Sequence, residues 1–149
     1  MSPIPAQHLR RIRPVEPFCE RSSTHGMTYG LGPAGYDVRI AENIVLKPGA
    51  FALASTVERF SMPDDVLGTV HDKSTWARQG LAAQTTVIEP GWRGYLTLEL
   101  TNHGYSDIML REGMPIAQVI FWQMSEPTEI AYRGKYQDQP SGAQPALFD

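Results

Sequence analysis

Glu99 is a carboxylate whose neighbours suit chemistry. It lies in the run Tyr95-Leu96-Thr97-Leu98-Glu99-Leu100-Thr101. In a strand, Tyr95, Thr97, Glu99 and Thr101 share one face and the three leucines share the other. The leucines point to a core, so Glu99 stands mid-strand among hydroxyl-bearing side chains. Spacing alone leaves two readings open. Glu99 is a solvated carboxylate on an outer strand face, or it is a pocket carboxylate that serves as a general base.

A second group gathers in Lys73-Ser74-Thr75-Trp76-Ala77-Arg78-Gln79-Gly80. A capping residue at the start and a glycine at the end predict one helical turn, with Ser74 as its cap. The i,i+4 spacing puts Ser74 and Arg78 on one face. Either Ser74 only caps the turn and Arg78 is a surface cation, or the turn's N-terminus, with Lys73 beside it, offers N–H groups and positive charge to a phosphate. Glu89 enters a Glu89-Pro90-Gly91 turn that leads into Trp92. Gln118 lies inside an apolar run and needs a hydrogen-bond partner if buried. Lys135, Tyr136 and Gln139 are solvated tail residues, or they form a lid that closes over an anion.

Other chemistries lack their residues. His8, His25, His71 and His103 are scattered, and Cys19 is the one cysteine. The zinc-dependent deaminase pattern of H-x-E with P-C-x-x-C is therefore absent, and no zinc is expected. Neither a G-x-x-x-x-G-K-[ST] loop, a G-x-G-x-x-G turn nor a G-x-S-x-G elbow occurs.

The elements that must position these residues read as short strands between turns. Strands are expected at 36–40, 50–56, 67–70, 95–101 and 116–124, with turns at Lys47-Pro48-Gly49, Pro63-Asp64-Asp65 and Glu89-Pro90-Gly91. Even spacing and Gly/Pro turns predict an all-β barrel or sandwich. Residues 1–30 carry no readable period. Residues 1–133 are read as the β domain, and 134–149, GKYQDQPSGAQPALFD, as its mobile tail.

The 149 residues suit one domain. A net charge of −3 argues against a nucleic-acid polymer as partner but leaves room for a single nucleotide. No apolar run reaches the length of about 18 residues that a membrane span needs. MSPIPAQHLRRIRP has no apolar run of a secretory signal. With a lone cysteine, these features lead us to expect a cytoplasmic protein.

Several segments, taken in order, resemble the dCTP deaminase family of the dCTP deaminase and trimeric dUTPase superfamily. Ala34-Gly35-Tyr36-Asp37-Val38-Arg39 is similar to the early GYD/SYDLR motif. Lys73-Ser74-Thr75-Trp76-Ala77-Arg78 is similar to [RK]-S-S-L-A-R. Ile88-Glu89-Pro90-Gly91-Trp92-Arg93-Gly94 is similar to I-D-P-G-[WF]-x-G, and Leu98-Glu99-Leu100 with Asn102 to L-E-[LF]-x-N. Lys135, Tyr136 and Gln139 match the tail's K-Y-x-x-Q.

That resemblance implies a dUTPase-like, jelly-roll-like distorted β-barrel with one short helical turn, assembled as a homotrimer with active sites at subunit interfaces. It implies a pyrimidine deoxynucleotide substrate and hydrolytic deamination of dCTP to dUTP and ammonia. Glu99 would be the general base, with Ser74 and Arg78 assisting. Lys73, Ser74, Thr75, Trp76, Ala77 and Arg78 would bind phosphate and help position water. Glu89 would contact the deoxyribose, and Thr97, Leu98 and Glu99 the base. Gln118 would belong to the same substrate site. Tyr132, Lys135, Tyr136 and Gln139 would close on the triphosphate. Mg2+ would travel with the phosphates. The segment Gly80–Glu89 is shorter than its family counterpart, and Glu89 stands where the family has Asp. The rival readings are a dUTPase, a bifunctional enzyme that makes dUMP and pyrophosphate, and a nucleotide-binding regulator without catalysis.

Overall fold

Turn residues delimit strands that pair antiparallel throughout in the computed structural model, which describes residues 2–148. The chain runs β1 (Ser2–Pro3), α1 (Ala6–Ile12), β2 (Val15–Glu16), β3 (Ser22–Thr24), β4 (Met27–Leu31), β5 (Tyr36–Arg39), β6 (Ile44–Leu46), β7 (Phe51–Ser61) and β8 (Val66–Asp72). It continues with α2 (Ser74–Ala77), β9 (Leu81–Ala83), β10 (Val87–Ile88), β11 (Arg93–Asn102), β12 (Ile108–Leu110) and β13 (Pro115–Gln123).

The strands form a seven-stranded sheet of order β10-β8-β13-β5-β4-β3, with β1 also on β13, a four-stranded sheet of order β2-β7-β11-β9, and the pair β12-β6. The larger sheets enclose one core, a distorted barrel of the all-β class expected. Alternation explains which side chains fill it. Tyr36, Val38 and Ile40 are buried from one side, Leu98 and Leu100 from the other. Phe60 of β7 joins the layers, with ring centroids 6.0 Å from Trp92 and 6.4 Å from Phe121.

The expected strands are all present; β5 and β13 keep close to their expected bounds, and β7, β8 and β11 run beyond theirs. β7 runs on from Thr56 to Ser61, and β8 reaches Asp72. Two local expectations need correction. Residues 1–30 contain α1, which turns only its Leu9 fully into the core and ends at Arg13 in the left-handed region rather than at a glycine. A single buried residue in so short a helix leaves no periodic signal. Ser74 is not the cap of α2. Lys73 takes that position with no side-chain capping bond, and Ser74 is the first helical residue.

Within the 134–149 tail, residues 134–139 lie along the N-terminal half of β11. The Trp92 indole N–H donates to the Tyr136 carbonyl at 2.7 Å, and the Arg93 N–H donates to Gln137 Oε1 at 2.7 Å. Asp138 pairs with Arg93 at 3.2 Å and with Arg59 at 3.6 Å. Gly94 makes this approach possible. Its φ is +147°, and a Cβ there would stand 2.7 Å from the Gln139 nitrogen.

Candidate active site

β11 carries the polar face of the strand into a cavity of about 510 Å3. Glu99 and Thr97 project from β11, Phe51 and Leu53 from β7, and Val87 and Ile88 from β10. Antiparallel register sets Leu53 directly opposite Glu99 and Phe51 opposite Thr101. Glu89, Trp92 and Tyr132 form a further wall, and Tyr136, Gln139 and Gln144 come in from the tail. The result is an apolar pocket with few polar groups, the usual make-up of a small-molecule site.

Glu99 is the distinctive group in it. Its Oε2 is buried with no hydrogen-bond partner in the protein. Desolvation by the surrounding apolar wall pushes its carboxyl above the ordinary glutamate range. A half-buried carboxylate without a cation beside it is a proton acceptor of raised basicity. Thr97, two residues away on the same face, accepts the Gln139 side-chain N–H at 3.3 Å and the Gln144 backbone N–H at 3.2 Å. Glu89 is exposed at the cavity wall.

The structure divides the residues expected to act together. Glu99, Thr97, Glu89, Tyr132, Tyr136 and Gln139 line one cavity. Lys73, Ser74, Thr75, Trp76, Ala77, Arg78 and Gln118 lie outside it. Ser74 and Arg78 are exposed at α2. Lys73 is almost fully buried, and its ammonium is committed to Asp37 Oδ2 at 2.8 Å. Trp76 is a core anchor rather than an open surface, its indole N–H donating to the Pro115 carbonyl at 2.7 Å. Gln118 stands in register between Asp37 and His71 on the outer face of the large sheet. The Leu98 side chain is buried in the core, so only its backbone can meet a ligand. Lys135 is exposed, with its ammonium 5.8 Å from the Tyr136 ring centroid.

Some lining residues carried no local signal. Phe51 and Leu53 reach the cavity only because β7 pairs with β11 in this register. Gln144, Pro145 and Ala146 reach it because the tail doubles back. Gln137 holds the tail through the Arg93 N–H and the Gly91 and Tyr132 carbonyls, and no local pattern marks it out.

Among the described residues no group of three or more His, Cys, Asp and Glu side chains is arranged to hold a metal ion. No helix among them is long and apolar enough to cross a membrane.

Comparison with known proteins bears on the family and the fold. A family model described as dCTP deaminase-like matches residues 30–124. The chain is 36% identical to the dCTP deaminase of Campylobacter fetus subsp. fetus, with 90% of each chain covered. It is 34% identical to the dCTP deaminase of Thermococcus sibiricus, again with 90% of each covered. Among solved structures it is similar to the EIAV dUTPase, with a TM-score of 0.60, 24% identity, and 81% of this chain and 96% of that chain covered. It is also similar to the dUTPase of phage phi11 of S. aureus, with a TM-score of 0.59, 20% identity, and 81% and 94% covered. The dUTPase-like barrel expected from the motifs is thus the fold observed.

Proposed function

The chain belongs to the dCTP deaminase-like family, and we propose on that basis that it hydrolytically deaminates a deoxycytidine nucleotide, dCTP to dUTP and ammonia. The observation that carries this reading is Glu99 Oε2, buried and without a partner in a cavity of nucleotide-compatible size. Deamination needs a group that accepts a proton from the attacking water and returns one to the departing amine. A desolvated carboxylate can do both. Glu99 takes the proton as water adds to C4 of the base, then delivers it to the exocyclic nitrogen as the C4–N bond breaks. The raised basicity of Glu99 strengthens the first transfer.

Thr97 and the β11 backbone around Leu98 offer hydrogen-bonding groups to the base edge. Glu89, at the cavity wall, suits a sugar hydroxyl. Ser74 and Arg78 stand outside this cavity in their own subunit, which supports their serving a neighbouring subunit's cavity in a homotrimer. Arg78 would there supply positive charge and Ser74 a hydroxyl that holds water. Lys73, paired with Asp37, would position that turn rather than contact phosphate itself. Gln118, beside Asp37 in register, belongs with the same group. Residues 1–133 are the body of the enzyme and 134–149 its lid, with Tyr132, Lys135, Tyr136 and Gln139 facing the phosphates. Mg2+ arrives as part of the substrate, bound to its phosphates.

A second carboxylate at the same cavity, Glu89, favours a second reading: water activation for phosphate-chain hydrolysis, giving dUMP and pyrophosphate. Offering dCTP, dCMP and dUTP separately and measuring ammonia and pyrophosphate decides between the two. Ammonia without pyrophosphate from dCTP is the expected result. Pyrophosphate from dUTP would establish the second activity, and neither product would leave a nucleotide-binding protein without catalysis.

A further inference from the structure

Of the tail residues Gln144-Pro145-Ala146-Leu147-Phe148, the first three border the cavity and the last two stand outside it. Phe148 is 89% exposed and Leu147 is 46% exposed. They are adjacent large apolar side chains in an otherwise polar, Pro/Gly-rich segment. The Leu147 backbone is held by one side chain, Tyr136, whose hydroxyl accepts the Leu147 N–H at 2.9 Å and donates to the Leu147 carbonyl at 3.4 Å. Such a pair contributes little to this fold and needs another reason to be apolar.

The segment's form narrows the kind of partner. Pro145 and the absence of helix around it disfavour docking as an amphipathic helix. Addition to a sheet edge is disfavoured too, because neighbouring Leu147 and Phe148 would point to opposite faces. What remains is an irregular peptide with a carboxamide at the first position and two apolar anchors at the fourth and fifth. Its recognition needs an apolar cleft that takes two adjacent side chains, with polar groups at one end for the amide.

We propose that Gln144–Phe148 is a docking peptide for the ring-shaped sliding clamp that tethers polymerases to DNA, whose apolar cleft accepts peptides of the form Gln-x-x-Leu-Phe. Leu147 and Phe148 fill the cleft, and the Gln144 carboxamide meets its polar rim. The nucleotide reading supplies the setting, a DNA precursor, while the docking stands on the segment's own residues. Gln144, Pro145 and Ala146 also line the cavity that holds Glu99, and the Gln144 N–H donates to Thr97. The segment cannot occupy the cavity rim and the clamp cleft at once, so Gln144 is left unaltered in the test.

The test uses the full chain and a purified bacterial sliding clamp in a titration followed by surface plasmon resonance. Saturable binding is expected, weakened at least about 30-fold by the double substitution Leu147→Ala with Phe148→Ala, as for loss of anchor residues. A synthetic peptide of residues 142–148 should displace the intact protein. No saturable binding, equal binding by the double variant, or failure of the peptide to compete would each overturn the proposal. Ammonia release measured on the same preparations separates the two readings. Loss of deamination with clamp binding intact withdraws the proposed function alone, and the reverse withdraws the docking alone.

Discussion

Gln139 is joined to Tyr95 by two hydrogen bonds. Its backbone carbonyl accepts the Tyr95 N–H at 3.0 Å, and its side-chain amide donates to the Tyr95 carbonyl at 2.8 Å. The same side chain reaches Thr97, two residues from Glu99. A tail that adds no residue to the buried core is thereby tied to the strand that carries the proposed base. Deleting residues 134–149 removes these bonds and part of the cavity wall but no residue of the buried core. The truncated protein should fold and bind nucleotide more weakly, with KM raised by roughly tenfold or more. Unchanged kinetics would take the tail out of the mechanism.

Gly94 tests the tail's seat without deleting it. A methyl group there would meet the Gln139 nitrogen at 2.7 Å and a Trp92 ring carbon at 3.0 Å, at a φ that side chains rarely adopt. Gly94→Ala should displace the tail and speed tryptic cleavage after Arg133 and Lys135, both exposed. Cleavage at the wild-type rate would mean that the strand yields instead.

Glu99→Gln keeps the shape of the side chain and removes its ability to accept a proton. Deamination should fall by about 10²–10⁴-fold while nucleotide still binds. Leu96, Leu98 and Leu100 are untouched, so stability should stay within about 1 kcal/mol. In the wild type, the acid limb of kcat/KM should lie above the ordinary glutamate range, because burial favours the protonated form. Ammonia release and nucleotide binding on one preparation, with the pH profile alongside, check both. Near-normal turnover would make Glu89 the leading carboxylate.

Glu58 gives a pH dependence of stability that is separate from activity. It is fully buried in β7, and burial pushes its carboxyl up to about 7, against the lowering effect of the Arg39 N–H at 2.8 Å and the Arg39 guanidinium. Between the ordinary value of 4.5 and about 7, the native state keeps a proton that the unfolded chain has lost. Stability should therefore fall as pH rises through that window and level off above it, by a span on the order of 3 kcal/mol. Urea midpoints at about pH 5 and about pH 8 should differ in this sense for the wild type and much less for Glu58→Gln. A flat wild-type profile would contradict the buried, protonated carboxyl.

Local order was enough for the all-β class, the turns, and the face on which Glu99 stands. The alternation of Tyr95–Thr101 and the turn at Glu89-Pro90-Gly91 depend on residues next to one another, and period and backbone preference act over that range. The ordered motifs likewise named the family and the residues worth testing. Only the tertiary structure decided which of them meet. Leu53 faces Glu99 from 46 residues away because β7 and β11 pair in one register, and a shift of one residue would turn Glu99 into the core. Lys73 reads as a free cation by position, yet folding sets it against Asp37 and commits its charge. Glu58 and Glu99 look alike in sequence, and burial alone distinguishes a carboxyl locked in the core from one left unpartnered in a cavity. Register, burial and desolvation are set by segments distant in the chain, so spacing along it could not reveal them.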